Sequence, residues 1–256
     1  MLFLTVDCGG SFIKSGVVDA AGTMVGAELQ LPTPYPLSVE KFVRTLADIA
    51  KKFPAVDRVS VGMPGMIRRG IVVHTPHYIN EAGPFTQRSE ELKAEWTHCD
   101  IERRLEQELA TPVKVVNDAE LHGAGVINGT GFEVVFTLGT GLGSAMFSAG
   151  VLAPHLELSH ASVRKGVWND HWIGDAALGE IGVQKWNSRI LELVESWRPV
   201  MLWDRLYIGG GNAQHLSAAT VRKLGDTVTI VSNSVALFGG KRLWDLDDRR
   251  SVQTTN

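Results

Sequence analysis

Leu2 to Val6 is an apolar run interrupted only by Thr5, and Gly9-Gly10 stops it. Such a run fits a strand covered on both faces. Apolar positions resume over Phe12–Val18, turn at Ala21-Gly22 and continue over Met24–Leu31, so the chain begins with three strands joined by tight turns. Thr33-Pro34-Tyr35-Pro36 is a loop. Ser38 then caps a predicted helix whose apolar residues recur at Val39, Phe42, Val43, Leu46, Ala47 and Ala50, the spacing of one helical face. Val59–Val61 is a short strand ending at Gly62, Pro64 and Gly65.

From His74 to Trp96 neither period holds, and a long irregular stretch inside a compact chain is often functional. Asp100 caps a helix carrying Ile101, Leu105 and Leu109, which Thr111-Pro112 ends. Val113–Val116 is a strand, and Asn117-Asp118 opens another helix. Val134–Leu138 and Ser144–Phe147 form a hairpin around Gly139–Gly143. A long helix runs from Val183 to Trp197 with Trp186, Ile190, Leu193, Val194 and Trp197 on its apolar side. Leu206–Ile208 is a strand ending in three glycines, followed by a strand at Val228–Val231 and a helix over Val235–Leu243. Two halves therefore each begin strand, glycine turn, strand, without matching residue by residue. The expected division is 1–117, 118–246 and a polar, flexible tail over 247–256.

Composition narrows the class without naming a chemistry. Of 256 residues, 44% are hydrophobic and 21% charged, with a net charge of −3. A nucleic-acid platform would carry a marked basic excess. Cys8 and Cys99 supply neither a disulfide framework nor a structural zinc cluster. No stretch approaches the ~20 apolar residues of a membrane span, and the start of the chain reads as a strand rather than a leader, so a cytoplasmic location is expected.

Two glycine turns carry the candidate chemistry. In Asp7-Cys8-Gly9-Gly10-Ser11-Phe12-Ile13-Lys14, glycines let backbone N–H groups approach phosphate oxygens, with Ser11 and Lys14 as further contacts. Asp7 at the strand end is placed to hold Mg²⁺ directly or through water. The plain alternative is a hairpin whose turn needs glycine. The second turn, Gly139-Thr140-Gly141-Leu142-Gly143, has the same form. A strand follows each turn, so neither is a P-loop nor a dinucleotide fingerprint. Asp118 reads as the N-cap of its helix and as a carboxylate that accepts a proton from a hydroxyl, and both can hold at once. Glu157 and His160 offer an acceptor and a donor to vicinal hydroxyls, or are surface residues. Gly209-Gly210-Gly211-Asn212 admits a flat ligand such as adenine, or ends a strand beside a helix.

Taken together these segments resemble the ROK family of sugar kinases and regulators. DCGGSFIKSG is similar to its first phosphate motif, GMPGMI to its glycine-proline-glycine signature and VVNDAELHGAG to its catalytic segment. FTLGTGLGSA is similar to its second phosphate motif, ELSH to its Glu-x-Gly-His and LYIGGGN to its adenosine segment. They occur in the family's order from residue 5 to about 240. Ser159 stands where the family has glycine. The short chain, the TPYP loop and the missing cysteine-rich zinc segment resemble the polyphosphate/ATP glucokinase branch.

The resemblance implies an α/β, actin-like (ribonuclease-H-like) two-lobed fold with a cleft between lobes. It implies in-line transfer from polyphosphate or ATP to the 6-hydroxyl of glucose, with Mg²⁺, and a homodimer. Asp118 would be the base. Asp7, Gly9, Gly10, Ser11, Lys14, Gly139, Thr140, Gly141 and Gly143 would bind phosphate, and Gly209, Gly210, Gly211 and Asn212 the nucleotide. Asn117, Glu157, His160 and Asp170 would bind sugar. Alternatives are an ATP-dependent kinase for fructose, mannose or an N-acetylhexosamine, and a non-catalytic sugar-sensing protein. The family's repressors carry an N-terminal helix-turn-helix, for which a chain whose first strand starts at residue 2 leaves no room. Arg68, Arg69, Arg164 and Lys165 are the candidates for a polyphosphate path.

Overall fold

A computed structural model describes residues 1–84, 86–232 and 235–253. In chain order its strands begin β1 (Leu2–Cys8), β2 (Phe12–Asp19), β3 (Met24–Pro32) and β4 (Arg58–Met63). Then come β5 (Met66–Arg68), β6 (Ile71–His74), β7 (Cys99–Asp100) and β8 (Val113–Asn117). The early helices are α1 (Val39–Ala50), α2 (Glu90–Trp96), α3 (Ile101–Leu109) and α4 (Asp118–Val126). The later strands are β9 (Phe132–Leu138), β10 (Leu142–Ser148), β11 (Val151–Leu152), β12 (Ser162–Arg164), β13 (Val167–Trp168), β14 (Arg205–Gly209) and β15 (Val228–Ile230). The later helices are α5 (Asn169–Ile173), α6 (Asp175–Met201), α7 (Ala218–Leu224) and α8 (Ala236–Gln253).

Two compact units result: Met1–Gly125 with the chain from Ala236 onward, and Val126–Val235. In the first, five strands are ordered β3-β2-β1-β4-β8. The hairpin pairs β1/β2 and β2/β3 are antiparallel, while β1/β4 and β4/β8 are parallel. Register sets Asp7 opposite Gly62, and Gly62 opposite Val116. The ends of β1, β4 and β8 therefore come level, with Asp118 two residues beyond. Ser38 accepts the Lys41 N–H at 3.1 Å to start α1, whose Val39, Phe42, Leu46 and Ile49 are buried in the core of this unit. In the second unit the order is β11-β10-β9-β14-β15, again antiparallel first and parallel after. Counted from its own first strand, each sheet reads 3-2-1-4-5. The α/β duplication that the two glycine turns hinted at is present as topology.

Three expectations need adjusting. The division falls at Gly125/Val126 rather than after Asn117, and α8 belongs with the first unit. The reason is packing. A Cβ at Gly62 would lie 2.6 Å from Leu121 Cδ2, so glycine there admits α4 against β4. The backbones of Gly239 and Gly240 in α8 press on the Leu121 carbonyl and on Thr5, leaving no room for a Cβ. Trp244 then donates to Ser60 Oγ at 2.9 Å beneath the cations of Arg58 and Lys114. Second, the stretch expected to be irregular holds the end of β6 and all of α2, capped by Ser89. Third, α8 carries the backbone of the expected tail as far as Gln253, and residues 254–256 lie outside those described. The helix expected from Val183 is the second part of α6, which Gly182 interrupts at φ 77°, ψ 160°.

Gly239→Ala and Gly240→Ala should each destabilise the protein by roughly 1–3 kcal/mol through overpacking, about 2–4 °C in Tm per kcal/mol for a chain of this size. Gly179→Ala, whose Cβ would meet no atom within 4 Å, should be neutral or stabilising by up to ~1 kcal/mol. Thermal melts of the three variants check this. Equal melting temperatures for all three would mean that α8 does not need its glycines.

Candidate active site

In the first unit β1 delivers Asp7 into partly buried surroundings. The turn that follows closes with Gly9 N–H donating to Phe12 O at 2.8 Å, and Thr33 Oγ1 donates to Gly9 O at 2.9 Å. A Cβ at Gly10 would sit 2.8 Å from Pro84 and 3.1 Å from the His77 ring, so residues 77–84 lie directly against the turn. Ser11 is exposed and Lys14 partly buried. Burial first and the Asp118 charge second push the Asp7 carboxyl up to about 7, against the opposing Lys14 charge. Asp7, Lys14 and Asp118 thus share one electrostatic environment. Burial and the same two carboxylates push the Cys8 thiol well above its usual range, so it is no nucleophile.

The N-cap expected of Asp118 is shared with its neighbour. Asn117 Oδ1 accepts the Ala119 N–H at 2.8 Å, Asp118 Oδ1 accepts the same N–H at 2.9 Å, and Glu120 Oε2 accepts the Asn117 N–H at 2.9 Å. This is a reciprocal capping arrangement with Asn117 as cap. The Asn117 amide also donates to Gly65 O at 2.8 Å. Asn117, expected on the sugar, is buried and holds backbone, while the Asp118 carboxylate stands one residue on at the first helical position.

Sequence reasoning passed over the segment just after β6. Thr75 Oγ1 and Asn80 Oδ1 are buried and have no hydrogen-bond partner among the described residues. Thr75 abuts Gly65, the residue held by Asn117: a Cβ at Gly65 would lie 2.8 Å from Thr75 Cα. Tyr78 OH donates to Cys8 O at 3.3 Å. The one signal in the sequence was the length of this stretch without periodicity.

In the second unit Gly139 N–H donates to Gly141 O at 3.1 Å and shapes the other turn. Gly210, at φ 86°, lies so close to Leu138 that a Cβ would meet its backbone. Asn212 donates to Gly139 O at 3.2 Å and to Asp175 Oδ1 at 3.3 Å. The segment Gly209–Asn212 is therefore built onto the Gly139–Gly143 turn. At Gly139 and Gly211 a Cβ would meet nothing within 4 Å, so the protein itself does not require glycine at either. Thr140 is exposed and Gly143 partly buried.

Glu157 Oε1 accepts from Ser159 Oγ at 2.6 Å, and Oε2 lies 3.5 Å from His155 Nε2. Burial pushes the Glu157 carboxyl up, but hydrogen bonds from His155 and Ser159 outweigh it and hold the group below its ordinary value. Ser159, in the place of a glycine, thus secures the ionised carboxylate. His160 is exposed beside Trp168, with ring centroids 6.4 Å apart. Asp170, grouped electrostatically with Glu157 and His160, is raised mainly by burial, and its Oδ1 accepts the Leu142 N–H at 2.8 Å.

The Asp7–Asp118 pair fits a divalent cation. Two carboxylates suit Mg²⁺ when substrate phosphates complete its shell, and a cation would relieve the repulsion that raises Asp7. Among the described residues no group of three or more His, Cys, Asp or Glu is arranged to hold a metal, and no helix is long and apolar enough to cross a membrane.

The folded-state value of Asp7 lies above its ordinary one, so between 3.8 and about 7 the native state keeps a proton that the unfolded chain has released. The Asp7 contribution to stability therefore falls as pH rises through that window. Asp7→Asn, which cannot ionise, should gain Tm relative to wild type from pH 4 to 7 in EDTA and hold a constant advantage above. A pH-independent difference would place Asp7 in ordinary solvent.

Residues 3–154 match the model of the ROK family. The polyphosphate glucokinase of Mycobacterium tuberculosis (strain ATCC 25618 / H37Rv) is 27% identical over 216 residues, 80% of this chain and 76% of that protein. That of Mycobacterium leprae (strain TN) is 32% identical over 166 residues, 62% of this chain, and the match spans about half (47%) of that protein's length. The inorganic polyphosphate/ATP-glucomannokinase of Arthrobacter sp. strain KM superposes with a TM-score of 0.76 at 25% identity, covering 96% of this chain and 99% of that one. A ROK family glucokinase from Streptomyces griseus, solved with glucose and AMPPNP, gives a TM-score of 0.71 at 19% identity over 95% and 99% of the chains, a likeness of fold. The fold is the actin-like α/β fold of these kinases, and the chain belongs to the ROK family.

Proposed function

We propose that the protein is a hexose kinase that moves a phosphoryl group from ATP or polyphosphate to the 6-hydroxyl of glucose. The observation that carries this is the coupled pair Asp7 and Asp118 at the level ends of parallel strands, beside a glycine turn and with the helix cap supplied by Asn117. Asp118 shares the Ala119 N–H with Asn117, and its carboxylate, beside Asp7, has the place and chemistry of a general base.

In this reading Asp118 takes the proton of the sugar hydroxyl as its oxygen bonds to the terminal phosphorus and the bond to the leaving phosphate oxygen breaks. Asp7 orients the donor with Mg²⁺, whose chemistry is to neutralise phosphate charge. Backbone N–H groups of Gly10 and Ser11, the Lys14 amine and the Gly139–Gly143 turn bind phosphoryl oxygens, while Gly9, whose N–H is taken by Phe12 O, shapes the first turn. Glu157 and His160 bind sugar hydroxyls, and Thr75, set against the Gly65 that Asn117 holds, offers a further polar contact. Gly209, Gly210, Gly211 and Asn212 receive the nucleotide. The names of the relatives in Mycobacterium and Arthrobacter support the sugar and both donors. A polyphosphate tail would follow the exposed cations Arg164 and Lys165, where the Arg164 guanidinium lies 4.9 Å over Trp172.

The test is a panel of glucose, mannose, fructose and N-acetylglucosamine against ATP and polyphosphate, following sugar phosphate. Glucose should be phosphorylated, and the KM for polyphosphate should rise more steeply with salt than that for ATP. Asp118→Asn should keep the fold and lower kcat by roughly 10²–10⁴-fold. Near-wild-type turnover in that variant would remove Asp118 from the chemistry, and no product from any pair would favour a sugar-sensing protein.

A further inference from the structure

Asp170 occupies the place of an expected sugar-binding carboxylate, yet its side chain is turned onto the second glycine turn. Oδ1 accepts the Leu142 N–H at 2.8 Å. A Cβ at Gly141 would collide with that oxygen and lie 2.5 Å from Asp170 Cγ. Gly174 N–H donates back to Asp170 O at 2.9 Å, and a Cβ at Gly174 would lie 2.5 Å from Thr140 O. Residues 170–174 are thus seated against Thr140, Gly141 and Leu142 by a hydrogen bond and two approaches that only glycine allows. A charge-assisted bond to a backbone N–H is among the stronger fixings a loop can have.

The same short helix also reaches the sugar turn. Asn169 is buried and donates to Leu158 O at 2.8 Å, inside Glu157-Leu158-Ser159-His160. Adjacent residues of α5 therefore hold two loops: Asn169 the acceptor turn, Asp170 the donor turn. A carboxylate engaged in this way has one oxygen committed before any ligand arrives.

We propose that Asp170 is a positioning residue: it fixes the Gly139–Gly143 turn for the phosphoryl donor and joins that turn, through Asn169, to the sugar turn. It is not a direct ligand of the sugar. This rests on the kinase reading above.

Two variants separate the roles. Asp170→Ala removes the acceptor for Leu142 N–H, while Asp170→Asn keeps an oxygen at the same place. Asp170→Ala should raise donor KM by roughly 10- to 100-fold, the worth of a hydrogen bond to a charged group, with sugar KM within about threefold of wild type. It should also speed amide exchange across residues 139–143, which a sugar ligand would leave unchanged. Asp170→Asn should restore donor KM to near wild type. Because a Cβ at Gly141 displaces the same carboxylate, Gly141→Ala combined with Asp170→Ala should cost less than the product of the single effects. If Asp170→Ala does not fold, sugar KM in Asp170→Asn decides: near wild type supports the proposal. A sugar KM raised tenfold or more in either variant, with donor KM unmoved, overturns it and makes Asp170 a sugar ligand. A wild type that phosphorylates no sugar overturns the kinase reading and this inference with it.

Discussion

Two carboxylates held close together in a poorly solvated place repel each other, and the architecture of the first unit turns on tolerating that repulsion. Asp7 and Asp118 come from strands that are not neighbours. β4 lies between β1 and β8, and its register brings their ends level. Gly62 lets α4 descend onto β4, and Gly239 and Gly240 let α8 close over α4 and β1. Each close approach gives up side-chain burial to hold backbone in place. The cost is visible in Asp7, pushed up to about 7 by burial and by Asp118. Such repulsion is relieved by a divalent cation or by a proton taken up by one of the carboxylates.

The second unit reuses the sheet order and the glycine turn for a different purpose. Its turn carries no acidic pair. It is instead framed by backbone contacts from three sides: Gly210 behind Leu138, Gly174 against Thr140 and Asp170 on Leu142. A turn so fixed, with the Gly139 and Leu142 N–H groups already bonded, keeps its shape without a ligand. In the same unit, hydrogen bonds from Ser159 and His155 hold the Glu157 carboxyl below its ordinary value.

Much of this was legible in the sequence because it is local. The apolar run Leu2–Val6, the face Val39–Ala50, the two glycine turns and the three glycines after Ile208 each carry their own period or breaker, and each falls where the structure has a strand, helix or turn. What could not be read is tertiary approach. Gly239 and Gly240 look like weak points in a helix, and nothing local says that they meet Leu121 and Thr5. Asn117 beside Asp118 gave no sign of which residue would cap, because the choice depends on Glu120 three residues on and on Gly65 far away in sequence. Asp170 is expected on the sugar through the family resemblance, and nothing local shows its bond to the Leu142 N–H 28 residues back. Thr75 and His77 fall in a stretch with no period at all, and only folding sets them against Gly65 and Gly10.

The central claim is electrostatic, so the most direct measurement observes the carboxyls themselves. Carbon-13 labelling of aspartate side chains and an NMR titration in the absence of metal would follow Asp7 in wild type and in Asp118→Asn. Asp7 should titrate near 7 in wild type and at distinctly lower pH once the Asp118 charge is gone. An Asp7 carboxyl that titrates near 4 in both proteins would mean that the two groups neither share a buried environment nor act as a pair.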